Sequence, residues 1–273
     1  MSPFWKYFCF LLWISYLLSC GILLFSSGFL LRRQVLKDKA TCSSPCNLDE
    51  DSVFSQPKSE FCINEDTYLS PESHNASICY DNNIRVILVV IDALRYDFML
   101  FNSSLKDSEQ QPFQNHMKIV NEVLTNKPKN SRLYKFIADP PTTTLQRLLG
   151  LTSGSLPTFI DAGSNFASTE VNEDNIIDQL VLKKKVTVMM GDDTWLRLYP
   201  SKFSRAYPFE SFNVWDLDTL DNGVKKHLIP EVRQEDWSLL VAHFLGVDHC
   251  GHRYGPYHQE MKRKLREMNE VLR

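Results

Sequence analysis

The sequence lacks an excess of basic residues, because 30 Lys and Arg stand against 33 Asp and Glu and the formal net charge is −3. Nucleic-acid-binding domains carry a basic patch or stripe, so the composition argues against nucleic acid as a partner. The sequence also has no internal repeat and no low-complexity tract, which excludes a repeat architecture. Hydrophobic residues make up 43% of the 273 positions, enough for one large α/β domain with additions.

Charged residues and proline are absent from residues 8–31. This stretch of about 24 residues is long enough to cross a hydrocarbon core about 30 Å thick. No second apolar run of about 20 residues follows, so we predict a single membrane pass. The stretch is longer than the apolar region of a usual signal peptide and has no clean cleavage site, which favours an uncleaved signal-anchor helix. Cleavage after residues 26–28 is the alternative.

Two features conflict on the orientation of this helix. By the positive-inside rule, four basic residues after the span place the body of the protein in the cytosol: Arg32, Arg33, Lys37 and Lys39. Asn75 and Asn102, however, each begin a glycosylation sequon. An even set of cysteines in the same region suggests two disulfides in an oxidising compartment: Cys42, Cys46, Cys62 and Cys79. We give the cysteines and sequons more weight and predict a lumenal body.

The chain divides into three parts. Residues 1–33 form a cytosolic tip and the signal-anchor helix, residues 34–83 a Cys-rich lumenal stalk, and residues 84–273 the folded domain. In the last part, strand and helix patterns alternate, which predicts parallel βαβ units of an α/β fold. The predicted strands are Val86–Ile91, Lys135–Asp139, Val186–Met190 and Trp237–Phe244. The predicted helices are Phe113–Leu124, Leu145–Gly154, Asn172–Leu182, Asp221–Leu228 and Glu260–Arg273.

Metal-type ligands follow two of the predicted strands. The apolar run Val86–Ile91 predicts a strand buried on both faces, in the middle of a parallel sheet, and Asp92 follows it directly. Open α/β sheets bind ligands at the carboxyl ends of their strands. The alternative is that Asp92 only caps the next helix. The strand Trp237–Phe244 leads in the same way to Asp248, His249 and His252. Two such strand ends suggest one site.

Asp248 and His252 have the spacing i, i+4, which places both side chains on one face of a helix and also lets them converge on a tight loop. A carboxylate oxygen and an imidazole nitrogen suit Zn²⁺. For His249 and His252 the alternative is that each is only a polar surface residue or part of a local salt bridge. Three threonines follow Pro140 and Pro141 at the start of a predicted helix, where backbone N–H groups and the helix dipole can hold a phosphate: Thr142, Thr143 and Thr144. The alternative is that one threonine is only an N-cap.

Several separated motifs carry a family resemblance. The segments VVIDALRYD, PPTTTLQRL, GSLPTFIDAGSNF, MGDDTW, FNVWDLDTLDNG and HFLGVDHCGHRYGP resemble the GPI ethanolamine phosphate transferases of the alkaline-phosphatase superfamily. The resemblance covers residues 85–273 and the amino-terminal anchor. It implies an alkaline-phosphatase-like, mostly parallel sheet flanked by helices and preceded by one transmembrane helix.

The resemblance also implies roles for single residues. Thr144 is the expected nucleophile, because Pro141 to Thr144 match the P-T-x-T pattern of the related nucleotide pyrophosphatases, in which the last Thr is the nucleophile. Two zinc ions are implied, one held by Asp92 and Thr144 and the other by Asp248 and His252. Arg147 is expected to hold a phosphate oxygen. For three further residues a substrate-facing role is expected from their position after a strand, in or beside the irregular aromatic segment 195–207, which we interpret as a lid or substrate wall: Asp192, Asp193 and Trp195.

The implied activity is transfer of phosphoethanolamine from phosphatidylethanolamine to a mannose, the third, of the GPI-anchor precursor. The implied setting is the membrane of the endoplasmic reticulum with the body lumenal, together with a small multispanning stabilising subunit. The family has a second Asp-His pair followed by Gly and a multispanning carboxyl-terminal region, and this sequence contains neither. We therefore expect an amino-terminal fragment with an incomplete sheet that is inactive alone.

Two other functions stay open from the residues. The first is a sulfatase- or phosphodiesterase-like hydrolase of the same superfamily, although the C/S-x-P-x-R context of sulfatases is absent. The second is a non-catalytic lumenal glycoprotein that keeps the fold as a binding module.

Overall fold

The computed structural model of the protein describes residues 3–29, 39, 84–138, 140, 142–156 and 170–273. Helix α1 (Pro3–Phe29) contains the stretch Phe4–Gly28, which has a mean hydropathy of 2.3 and is long and apolar enough to cross a membrane. By length and composition it fits the predicted anchor. The predicted stalk, with its four cysteines and Asn75, lies outside the described residues apart from Lys39.

A four-stranded parallel sheet forms the centre of the domain. Its strands are β1 (Val86–Ile91), β2 (Thr187–Asp192), β3 (Arg205–Phe209) and β4 (Leu239–Phe244), in the spatial order β1-β4-β2-β3. β4 pairs with β1 in the register Val86↔Leu239 to Ile91↔Phe244 and with β2 on its other side. The predicted parallel α/β fold is confirmed. The strand order brings the carboxyl ends of β1 and β4 side by side.

The predicted position of β1 in the middle of the sheet is wrong. β1 lies at one edge of the described sheet, and the side chains of Val86 and Ile87 are 47% and 44% exposed. β2 and β4 are the strands buried along their whole length. An apolar run shows that a strand is favoured but does not tell a central strand from an edge strand with one covered end. The predicted strand Lys135–Asp139 is also wrong, because residues 133–138 adopt no regular structure and are largely exposed.

Helices cover both faces of the sheet. In chain order after α1 they are α2 (Tyr96–Met99), α3 (Lys118–Asn126), α4 (Thr144–Ser153), α5 (Ile176–Leu182), α6 (Thr194–Leu198), α7 (Thr219–Val232), α8 (Gly246–Tyr254) and α9 (Gln259–Val271), with a 3-10 turn at Asp107–Glu109. Two predicted helices begin later than expected, at Lys118 instead of Phe113 and at Ile176 instead of Asn172. The second delay has a local cause, since Asn175 is the N-cap and accepts a hydrogen bond from the backbone N–H of Asp178.

The core consists of two hydrophobic clusters, one on each face of the sheet. Val188 and Met190 of β2 join the first cluster and Met189 the second, as the alternation along a strand requires. Side chains of α7 and α9 complete the first cluster: Leu220, Val224, Leu228, Met261, Leu265 and Met268. Side chains of α4, α5 and α6 complete the second: Leu148, Leu149, Ile177, Trp195 and Leu198. The helices therefore each bury one face against the sheet.

The segment from Trp195 to Tyr207, predicted as an irregular lid or substrate wall, instead contains α6 and the start of β3. Trp195 is fully buried in the second cluster. Its large ring fills the core, and its indole N–H finds an acceptor there, which an aromatic composition alone does not reveal. The predicted substrate-facing position of Trp195 is therefore wrong.

Candidate active site

Asp92 and Thr144 meet at the carboxyl end of β1. The backbone N–H of Asp92 donates to the carbonyl of Phe244 at 3.0 Å, which fixes the residue beside the end of β4. Its Oδ1 accepts a hydrogen bond from the N–H of Ala93 at 2.8 Å. Its Oδ2 accepts one from the hydroxyl of Thr144 at 2.7 Å, across 52 positions of sequence. The carboxylate thus holds the hydroxyl in one direction.

Thr144 is the first residue of α4, and Thr143 occupies the N-cap position. Thr143 has the extended φ of −70° and ψ of 148° of an N-cap, but its side chain makes no capping hydrogen bond. The capping alternative therefore applies to the backbone of Thr143 and does not account for the hydroxyl of Thr144. Arg147 follows one turn later and is half-buried, and its role at a phosphate stays a prediction.

Three groups around Asp92 hold it in its charged form. Burial raises the pKa of Asp92, but the interaction with His243 and the hydrogen bonds from Thr144 and the Ala93 N–H lower it by more. The resulting pKa lies below the usual value, so Asp92 is a carboxylate at neutral pH. Such a carboxylate is a weak base. It orients the hydroxyl of Thr144 well and removes its proton poorly.

Asp248 and His252 lie on one face of α8, as their spacing predicted. Asp248 Oδ1 is 3.5 Å from His252 Nε2, and the His252 side chain is largely exposed. Burial raises the pKa of Asp248, and the negative charge of Asp92 raises it further. The effect of Asp92 on Asp248 indicates that the ends of β1 and β4 bring the two carboxylates near each other. The local ion-pair alternative for His252 is compatible with the same 3.5 Å distance.

α8 is positioned by a buried ion pair beneath its first turn. Asp221 Oδ1 accepts hydrogen bonds from the N–H groups of Leu245 at 3.0 Å and Gly246 at 3.2 Å. Asp221 Oδ2 is 2.7 Å from Lys264 Nζ, and both side chains are fully buried. A Cβ atom on Gly246 would overlap both charged side chains. A larger residue at 246 would therefore displace this ion pair beneath the corner before Asp248.

The donor atoms of the site suit zinc by type. Among the described residues no group of three or more His, Cys, Asp and Glu side chains is arranged to hold a metal ion. The site instead has two pairs of donors, Asp92 with Thr144 and Asp248 with His252. A cation between the pairs would relieve the repulsion that raises the pKa of Asp248. The donor atoms are therefore of the types that zinc binds, with two from each pair, whereas zinc sites usually take three or four protein ligands.

His243 is the site residue that the sequence did not indicate. It lies in β4, is fully buried, and places Nε2 3.8 Å from Asp92 Oδ2. Its Nδ1 accepts a hydrogen bond from Trp195 Nε1 at 3.1 Å. One signal was available: His243 interrupts the otherwise apolar run LLVAHFL, and a polar side chain in a buried strand needs a partner.

Asp192 and Asp193 follow β2 but face different surroundings. Asp192 is buried, accepts a hydrogen bond from the N–H of Thr194 at 2.7 Å, and places Oδ2 3.9 Å from His243 Nδ1. It therefore does not face a substrate opening, contrary to prediction. Asp193 accepts hydrogen bonds from Arg197 at 3.1 Å and from the hydroxyl of Ser211 at 2.7 Å. Its substrate-facing role stays a prediction.

Comparison with protein-family models identifies this domain. The model described as type I phosphodiesterase / nucleotide pyrophosphatase matches residues 106–273, which is more than half of the chain. The chain belongs to the type I phosphodiesterase / nucleotide pyrophosphatase family. Thr144, His243, Asp248 and His252 lie within the residues matched to this phosphodiesterase family, and Asp92 precedes them.

Curated relatives narrow the likeness within the phosphodiesterase family. The chain is 46% identical over 266 residues to the human GPI ethanolamine phosphate transferase 3, catalytic subunit, covering 96% of the chain and 23% of the relative. It is 40% identical over 269 residues to GPI ethanolamine phosphate transferase 3 of Saccharomyces cerevisiae, covering 97% and 23%. A GPI ethanolamine phosphate transferase 2 from Eremothecium gossypii is 33% identical over 261 residues, covering 93% and 27%. The chain thus spans about a quarter of the length of these relatives.

Proposed function

We propose that this chain carries the nucleophile and two pairs of metal-binding residues of a phosphoethanolamine transferase. The donor is phosphatidylethanolamine, and the acceptor is a mannose, the third, of the GPI-anchor precursor. The observation that carries the proposal is the 2.7 Å hydrogen bond from Thr144 to Asp92 at the carboxyl end of a parallel strand. The names of the relatives support the substrate class.

The transfer has two steps at Thr144. First, Thr144 Oγ1 forms a bond to the phosphorus of phosphatidylethanolamine, the bond from phosphorus to the diacylglycerol oxygen breaks, and the threonine proton ends on diacylglycerol. Then a mannose hydroxyl oxygen forms the new bond to phosphorus, the bond to Thr144 breaks, and the mannose proton returns to the threonine. Asp92 orients the hydroxyl at the start and at the end. N–H groups at the first turn of α4 would hold a phosphoryl oxygen.

Zinc is the cofactor that we propose for this site, in two ions. Asp92 and Thr144 would hold one ion, and Asp248 and His252 the other. Zinc lowers the pKa of a coordinated hydroxyl and neutralises charge on a transferring phosphoryl group. The weak basicity of Asp92 makes such help necessary for Thr144, because a threonine hydroxyl is a poor nucleophile at neutral pH.

A hydrolase is the second candidate, favoured by the phosphodiesterase family that the chain belongs to. The same site would then deliver the phosphoryl group to water instead of mannose. The two functions share the first step and differ in the acceptor, so their products separate them.

The test uses a chimera in which this chain replaces the matched segment of the Saccharomyces cerevisiae relative. In yeast membranes depleted of that relative, we expect the chimera to transfer labelled phosphoethanolamine to the GPI precursor. After an acid quench, the peptide containing Thr144 is expected to gain the mass of one phosphoethanolamine group. Release of free phosphoethanolamine without transfer would favour the hydrolase. A modified residue other than Thr144 would contradict the assigned nucleophile.

We propose that the protein resides in the membrane of the endoplasmic reticulum with its body in the lumen. The α1 span, the cysteine-rich segment and the sequons support this orientation. We also propose a multispanning stabilising subunit, which the words "catalytic subunit" in the name of the human relative support.

Glycosylation tests the orientation, because Asn102 is exposed in the described structure. We expect endoglycosidase to increase the gel mobility of the expressed chain. Asn102→Gln and Asn75→Gln variants should each lose part of that shift, since glycosyl transfer needs the asparagine amide. An unshifted chain that cytosolic protease cleaves would contradict a lumenal body.

A further inference from the structure

His243 has one ring nitrogen paired and the other aimed at the candidate active site. Nδ1 is 3.1 Å from Trp195 Nε1, whereas Nε2 is buried without a hydrogen-bond partner and faces Asp92 Oδ2 at 3.8 Å. An unpaired buried donor or acceptor destabilises a fold. A histidine that served only to fill the core would not be expected to leave Nε2 unpaired beside a carboxylate.

Trp195 decides which nitrogen of His243 carries the proton. The indole N–H is a donor only, so the nitrogen that faces it must accept. His243 Nδ1 therefore lacks a proton, and the proton of the neutral ring is on Nε2. Asp192 Oδ2 also approaches Nδ1 and would favour a proton there, but its 3.9 Å distance is too long for a hydrogen bond and the 3.1 Å indole contact prevails.

This tautomer distinguishes His243 from the residues that we propose as metal ligands. A neutral histidine binds a metal through a nitrogen without a proton, and its other N–H is usually donated to an acceptor. In His243 the nitrogen without a proton faces Trp195, and the N–H faces Asp92. The ring is thus arranged as a hydrogen-bond donor to the Asp92 carboxylate and not as a ligand.

We propose that Trp195 and His243 form a buried positioning pair that holds Asp92, and through it the hydroxyl of Thr144, in the direction needed for attack. Trp195 sets the tautomer of His243, whose Nε2–H faces, at 3.8 Å, the same carboxylate oxygen that accepts from Thr144. A shift of the carboxylate by about 1 Å toward Nε2 completes a hydrogen bond of ordinary length. This role rests on the proposed function, because it acts through the nucleophile.

The tautomer can be measured without any reaction. We expect a long-range ¹H–¹⁵N spectrum of the full chain in detergent micelles, labelled at histidine, to show His243 protonated at Nε2. The His243 signals are those missing from a His243→Gln variant. In Trp195→Phe the indole donor is lost, so the two ring nitrogens should move toward each other in chemical shift as the tautomers mix.

The control is Trp237→Phe, because Trp237 is also buried but donates to the carbonyl of Glu231. It should leave the His243 signals unchanged. A wild-type His243 protonated at Nδ1, or signals insensitive to Trp195→Phe, would overturn the proposal.

Activity measurements distinguish a positioning role of His243 from a purely structural role. In the yeast chimera, His243→Leu is expected to lower kcat by roughly 10–100-fold, the usual effect of removing an outer-shell partner, with KM for phosphatidylethanolamine unchanged. His243→Gln should recover most of this loss, because a glutamine amide can donate from the position of Nε2. Full activity of His243→Leu, or equal losses in both variants, would overturn the role.

Trp195→Phe keeps an aromatic ring in the core, so it serves as a second test if the His243→Leu variant does not fold. It should show a smaller loss of kcat, and unchanged kcat in a folded Trp195→Phe chimera would also overturn the proposal. A failure of the proposed function looks different. An active Thr144→Ala chimera would remove the nucleophile assignment and leave the measured tautomer of His243 in place.

Discussion

Thr144→Ala is expected to lower the rate of phosphoethanolamine transfer by the chimera at least about 1000-fold, as loss of a nucleophile does in other covalent enzymes. The methyl group of alanine cannot form the bond to phosphorus, and Asp92 loses the hydroxyl that it holds at 2.7 Å. The measurement is the initial rate of labelled phosphoethanolamine entering the GPI precursor, at equal amounts of chimera in the membrane.

Two variants at the same corner serve as controls. Thr144→Ser keeps a hydroxyl and should retain measurable transfer, whereas Thr143→Ala removes a side chain that makes no capping hydrogen bond and should act like the wild type. Thr144 is only half-buried, so the melting temperature of the alanine variant should change little. Normal transfer by Thr144→Ala would move the nucleophile to Thr142 or Thr143 or refute the mechanism.

Gly191→Ala is expected to destabilise the domain by more than about 4 kcal/mol, which falls in the exceptional range for a single substitution. Gly191 lies in β2 with φ of +119°, a conformation that other residues rarely adopt. An added Cβ would overlap the backbone carbonyl oxygen of His243 in β4. Because both partners are backbone in the middle of a parallel sheet, neither can move without breaking strand pairing.

Gly251→Ala is the matched control for this substitution. Gly251 lies inside α8 with no atom within 4 Å of an added Cβ. Alanine there should stabilise the helix by about 0.5–1 kcal/mol, because glycine in a helix interior loses more backbone entropy. Urea unfolding curves of the two variants should therefore shift in opposite directions. A Gly191→Ala curve within 1 kcal/mol of the wild type, roughly the common effect of a point mutation, would contradict the close approach of β2 and β4.

The sequence predicted the parts of the site that depend on order along the chain. Asp92 and Asp248 follow apolar strands, and parallel strands end at one edge, so their meeting could be predicted without coordinates. Thr144 could be placed at a helix start from the two prolines before it. These predictions used the pattern of apolar residues and the positions of proline, which are local properties of a sequence.

The remaining parts depend on which elements become neighbours. Trp195 lies near the start of α6, just after β2, and contacts His243 of β4 inside the core. Nothing in the sequence around either residue indicates which residue it contacts. Trp195 was predicted to belong to a substrate wall because it follows a strand and begins an aromatic segment without a regular pattern, yet the ring is buried. The edge position of β1 was missed for the same reason, since strand order is set by the whole sheet.

The buried contact of Asp221 and Lys264 beneath α8 constrains how this sequence can diverge. Because Gly246 sits against both charged side chains, a larger residue at 246 becomes tolerable only after 221 or 264 has changed. Loss of Lys264 alone leaves the Asp221 carboxylate without its cation in the core, at roughly 3–5 kcal/mol. Loss of Asp221 alone leaves Lys264 paired with Glu267 at 2.6 Å and with Asp218 at 3.3 Å. The effect of a substitution at any of the three positions is therefore expected to depend on the residues at the other two. The same corner begins the helix that carries Asp248. Substitutions at these buried positions are therefore expected to change the direction of the Asp248 side chain, which we propose as a metal ligand.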